Sequence, residues 1–89
     1  MVFIIIKYCT HIAVFTGKLV EALDVDSETI DDLLKILDQK YPGFRQLFFT
    51  SEGKFNVRTM IYVKKPQGFT IPVINPQVTV KQFDQIIFI

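Results

Sequence analysis

The chain has 89 residues, 49% of them apolar, with nine Phe and no Trp. That is enough for one domain with a single core over residues 1–89, and too apolar for a disordered segment. A formal net charge of +1 with both signs scattered argues against a nucleic acid partner.

No apolar run approaches the ~18 residues of a membrane span, and the start lacks the basic residues and cleavage site of a signal peptide. We therefore expect no membrane association. A single Cys allows no internal disulfide and fits a cytoplasmic location.

In chain order, the β-branched run Val2–Tyr8 predicts a strand. Its only charge, Lys7, places Phe3, Ile5 and Lys7 on the outer face and Val2, Ile4, Ile6 and Tyr8 toward the core. Residues 9–18 follow, with Thr16-Gly17 as the turn signal and Ile12 to Phe15 as an apolar cluster folded over one end of the core. Lys18 to Leu23 reads as the return strand of a hairpin.

Thr29 suits a helix N-cap, and Asp31 and Asp32 then lie at the positive end of the helix dipole. Ile30, Leu33, Leu34, Leu37 and Tyr41 recur with helical period, and Pro42-Gly43 closes the helix. At ~1.5 Å per residue this helix, Thr29 to Lys40, is roughly 18 Å long and can cross a small sheet. Phe44 to Phe49 reads as a short extra helix or a packed loop, and residues 51–54 as a turn. A third strand is expected over Val57 to Lys64. A brief edge strand, Phe69 to Ile71, is stopped by Pro72. Residues 73–83 form a connection with Asn75-Pro76 at its corner.

The last ten residues, Val80 to Ile89, read as a turn and a short apolar strand expected beside Val2–Ile6. Hairpin, helix, strand, short strand, strand is the order of a β-grasp, or ubiquitin-like, α+β fold. In it a mixed sheet carries one main helix on one face. A ferredoxin-like arrangement needs a second full helix, which Pro66, Gly68, Pro72 and Pro76 oppose.

Tyr8-Cys9-Thr10, Thr16-Gly17-Lys18, Glu28 to Leu34, Tyr41-Pro42-Gly43-Phe44 and Glu52-Gly53-Lys54 together resemble the MoaD/ThiS family. These are small ubiquitin-like sulfur carriers that include the small subunit of molybdopterin synthase. The resemblance spans nearly the whole chain in the right order. It implies the fold and a habit of binding proteins, with a pterin synthase large subunit or an E1-like enzyme as candidate partners. In that family a flexible tail ends in Gly-Gly, whose carboxylate is activated and converted to a thiocarboxylate. Here no Gly follows Gly68 and the sequence stops at Ile89, so no residue takes over that carboxylate. Before the last strand Phe83 stands where the family has Gly, ahead of an acid, Asp84.

No catalytic constellation is legible, so an enzyme is not expected. His11 is the only His, Cys9 lacks a second Cys for a cluster or redox pair, and the glycines have no phosphate-binding spacing. We expect no cofactor and no metal site. Cys9 reads as a small apolar residue at a strand end, and Asp31, Asp32 and Asp38 as a solvated helix face. Strand parity puts Phe3, Ile5, Met60, Tyr62 and Ile87, with Ile89, on the sheet face away from the helix. An apolar patch there is expected to be a protein interface or a homodimer surface. The competing expectation is that Phe15, Phe44, Phe48 or Phe49 folds across it. The functions that follow are a non-catalytic interaction module, a sulfur carrier for molybdopterin, tungstopterin or thiamin biosynthesis, or another ubiquitin-like adaptor that uses Lys7 against an acidic partner.

Overall fold

A computed structural model of the chain describes residues 1–56 and 60–89. Its elements in order are β1 (Val2–Tyr8), α1 (Thr10–Thr16), β2 (Val20–Val25), α2 (Ile30–Lys40), a 3₁₀ turn (Arg45–Phe48), β3 (Ile61–Lys64), β4 (Thr70–Pro72) and β5 (Gln85–Phe88). The strands form one sheet in the order β2-β1-β5-β3-β4. β1 and β5 run parallel at its centre, and the other neighbours are antiparallel. This is the β-grasp arrangement expected from the sequence, with the two ends of the chain side by side.

The core lies between α2 and one face of the sheet. Ile4, Ile6 and Tyr8 of β1 and Ile86 and Phe88 of β5 meet Ile30, Leu33, Leu34 and Leu37 of α2, all buried. These are the positions that alternation and helical period assign to the interior. Phe44 and Phe48 close one end of this core, each with its ring centroid 5.2 Å from that of Phe88. Phe15 rests on Phe44, and Phe49 stacks edge-on against Phe55. The expectation that one of these rings crosses the opposite sheet face is not met for Phe44 and Phe48, because Phe88 points to the helix side and holds them there.

α2 is fixed at both ends. Thr29 Oγ1 accepts the Asp32 N–H and the Asp32 carboxylate accepts the Thr29 N–H, a capping box. The next free donors, Ile30 and Asp31 N–H, reach the carbonyls of Val78 and Pro76 in the last connection. At the other end Asp38 Oδ1 accepts the N–H groups of Gly43 and Arg45. Asp31 pairs with Arg45 and Lys35. The three aspartates expected to form a solvated face are therefore capping and pairing residues.

A buried carboxylate, Glu21 of β2, ties the sheet to the end of α2. It accepts the phenol hydroxyls of Tyr8 and Tyr41, each at 2.9 Å, and the ammonium groups of Lys18 and Lys40. Burial alone would push its pKa up. The hydrogen bonds from Lys40, Lys18 and the two tyrosines outweigh that and hold it at about 2, below its ordinary 4.5. Burial first, and then the hydrogen bond to Glu21, pushes the Tyr8 phenol well above its usual range.

Four boundaries differ from the sequence reading. Residues 10–16 form a helix rather than a hairpin turn, with Ile12 buried and Phe15 half exposed. The return strand starts at Val20 and runs on to Val25, because Val25 continues the inward parity of Glu21 and Leu23. The third strand is observed over Ile61–Lys64, and Val57, Arg58 and Thr59 lie outside the described residues. The edge strand is shifted by one residue and includes Pro72.

Candidate protein-interaction face

Strand register defines the face of the sheet that α2 leaves open. One row runs Val20, Lys7, Ile87, Tyr62, Pro72 across the sheet, and the next runs Ala22, Ile5, Gln85, Lys64, Thr70. Phe3 and Asp24 flank the second row at one end. Met60 and Ile89 flank the first at the other, joined by the Ile89 N–H to the Met60 carbonyl at 3.0 Å. The residues that parity assigns to this face, Phe3, Ile5, Met60, Tyr62 and Ile87, therefore share one surface.

Their exposure is uneven. Phe3, Met60 and Ile89 are 37%, 41% and 42% exposed, while Ile5, Tyr62 and Ile87 are half-buried between their neighbours. Sequence reasoning missed Val20 and Ala22, both exposed on the same face. The signal was the hairpin register, which a return strand placed at Lys18–Leu23 without its pairing partners did not supply. It also missed Phe83, whose exposed ring stands edge-on to Phe3 with centroids 6.4 Å apart.

The polar groups on this face are few. Lys7 and Lys64 are exposed, and among the described residues neither makes an ion pair. Lys65, which the sequence places beside Lys64, turns to the other side and pairs with the buried Asp84 at 2.9 Å. Gln85 sits mid-row, and its buried Oε1 accepts no hydrogen bond among the described residues. The face can thus offer dispersion contact, a tyrosine hydroxyl, two ammonium groups and, at its rim, the Asp24 carboxylate. That equipment suits contact with another protein surface.

Elsewhere, Cys9 occupies the N-cap position of α1, half-buried. His11 is exposed, with Nδ1 3.5 Å from Thr10 Oγ1. Among the described residues no group of three or more His, Cys, Asp or Glu side chains is placed to hold a metal ion. Among the described residues no helix is long and apolar enough to cross a membrane.

No family model and no curated protein matches the sequence. Solved structures do match its fold. Small archaeal modifier protein 1 from Haloferax volcanii superposes with a TM-score of 0.75 at 16% identity, over 99% of this chain and 95% of that one. The protein of the same name from Methanosarcina acetivorans gives 0.69 at 17%, over 99% and 91%. A Pyrococcus furiosus protein proposed to be molybdopterin converting factor subunit 1 gives 0.68 at 13%, over 99% and 95%. The fold implied by the resemblance to the MoaD/ThiS family is thus the fold found, and the chain is a ubiquitin-like β-grasp protein.

Proposed function

We propose that this chain is a non-catalytic interaction module of the sulfur-carrier and modifier kind, and that it docks on a partner protein through the open sheet face. One observation carries the reading. Phe3, Ile5, Met60, Tyr62 and Ile87 lie together on a face that α2 does not cover, with no charged side chain between Ile87 and Tyr62. Fully burying an exposed side chain of this kind contributes about 1.5–3 kcal/mol, so several of them left on one uncovered face favour association. The names borne by the structural neighbours, a modifier protein and a converting-factor subunit, fit a protein that acts on or with others.

Two purified partners from the same genome suit the test, an E1-like activating enzyme and a pterin synthase large subunit. Titrating either into the isotope-labelled chain should shift the resonances of Ile5, Met60, Tyr62 and Ile87. Tyr62→Asp should weaken binding at least about tenfold while leaving the fold intact. Shifts confined to other surfaces, or unchanged affinity for Tyr62→Asp, would reject the reading.

A second reading is favoured by the same neighbours: a sulfur carrier whose natural polypeptide continues into Gly-Gly. Intact mass of the protein from its native source decides it. A terminal Gly-Gly, or the gain of one sulfur in place of oxygen, supports it.

A further inference from the structure

We propose that the outer edge of β2 is a self-pairing surface, at which a second copy of this chain adds its own β2 antiparallel, centred on Ala22.

The Tyr8 N–H donates to the Leu19 carbonyl at 2.9 Å. In an antiparallel pair the hydrogen-bonded positions alternate, so with this register Glu21, Leu23 and Val25 also face β1. Val20, Ala22 and Asp24 must then direct their N–H and C=O groups off the sheet. The opposite side of β1 agrees: the Ile5 N–H reaches the Asp84 carbonyl, and the Phe3 carbonyl accepts the Phe83 N–H, both toward β5. Among the described residues no turn or loop hydrogen bond reaches Val20, Ala22 or Asp24.

The other edge is protected. β4 is three residues long and contains Pro72, a common defence against edge pairing. β2 has six residues, no Pro and no Lys within the strand. Its length and free backbone make it the edge open to addition.

Register and charge select the occupant. With Ala22 opposite Ala22 of the second copy, Val20 falls opposite Asp24 in both directions. All three positions are outward-facing, so each pair exchanges two bonds, about six in all. The strand is basic before its start, at Lys18, and acidic at its end, at Asp24 and Asp26. Antiparallel pairing therefore brings unlike ends together, whereas parallel pairing would stack the aspartates. Asp24 and Asp26 are exposed and have no ion-pair partner among the described residues. Lys7 lies in the same row as Val20, one strand in from Asp24 of the second copy. This pattern is self-complementary, which favours a second copy over an unrelated extended peptide. Tyr62 and Met60 lie toward the opposite edge of the sheet, three strands from β2, so edge pairing at β2 leaves that part of the proposed docking surface free.

Sedimentation equilibrium across a dilution series tests the proposal. The wild-type mass should rise with concentration from 10.3 kDa toward twice that value, and low salt should promote the rise. Ala22→Pro should remain monomeric. Its missing N–H points off the sheet, a position at which an edge strand tolerates Pro, and circular dichroism checks that the fold is kept. Should it fail to fold, the exposed double variant Asp24→Lys with Asp26→Lys decides alone, with self-association weakened roughly tenfold or more. Tyr62→Asp should dimerise like wild type, which separates this edge from the open face. The proposal is overturned if wild type stays monomeric at millimolar concentration. It is equally overturned if a folded Ala22→Pro or the charge-reversed variant associates like wild type, or if Tyr62→Asp is what abolishes association.

Discussion

Glu21 carries a charge whose neutralisation would strand its neighbours. Two phenols and two ammonium groups donate to one buried carboxylate. Lys18 and Lys40 are 46% and 42% exposed and can return to water, but Tyr8 is buried and cannot. Glu21→Ala should therefore cost about 2–3 kcal/mol, chiefly by leaving the Tyr8 hydroxyl without an acceptor. The carboxyl titrates at about 2 in the folded protein and ordinarily at 4.5. In acid the unfolded chain takes up the proton first, so the contribution is complete above about pH 4.5 and disappears as pH falls through about 2. Urea midpoints of wild type and Glu21→Gln should differ at neutral pH and converge across that window. Phe83 is a second residue at odds with its place. Its φ is +68°, the left-handed region that costs a non-Gly residue roughly 1–2 kcal/mol. Its ring is 61% exposed, so little packing offsets that cost. Phe83→Asn enters the region more readily and should raise stability by up to about 1 kcal/mol, seen as a higher thermal midpoint. The sequence already marked this position, because a Phe stands where the resembled family has Gly. The Glu21 centre left no such mark, since its five groups come from three separate stretches of chain.

At the level of the element, α2 was the most legible part of the chain and α1 the least. The α2 stripe is long enough for helical period to separate from chance, and its cap is a local motif. Thr29→Ala removes the side-chain acceptor of the Asp32 N–H and should cost about 1 kcal/mol, measured as a shift of the urea midpoint at constant slope. The effect should stay modest, because Val78 and Pro76 continue to hold the next two N–H groups. α1 has seven residues, of which only Ile12 and Thr16 are buried, too few for a periodic stripe to show. What fixes it is tertiary: the Cys9 N–H bonds to the Phe88 carbonyl, so the end of β5 sets where α1 begins. The open face was legible by parity on β1, β3 and β5. It was not on β2, because face membership there depends on the hairpin register and α1 takes up most of the connection.

At the level of the whole molecule, β5 is the last strand made and sits between β1 and β3. Without it the sheet would separate into a β1–β2 hairpin and a β3–β4 hairpin with no ladder between them. An isolated two-stranded hairpin has marginal stability in water at best. β5 also supplies Ile86 and Phe88, both fully buried, with Phe88 at the centre of the ring cluster of Tyr8, Phe44 and Phe48. Losing either side chain alone would cost about 2–5 kcal/mol, against a total of about 5–15 kcal/mol for a domain. Removing residues 85–89 should therefore leave a chain without dispersed amide resonances or a cooperative thermal transition. A polar extension appended after Ile89 should leave the thermal midpoint unchanged, because Ile89 is exposed at the rim beside Met60. The fold thus demands β5 up to Phe88 and tolerates chain beyond it. Any such extension emerges next to the open face, so a partner seated on Ile87, Tyr62 and Met60 would have it within reach.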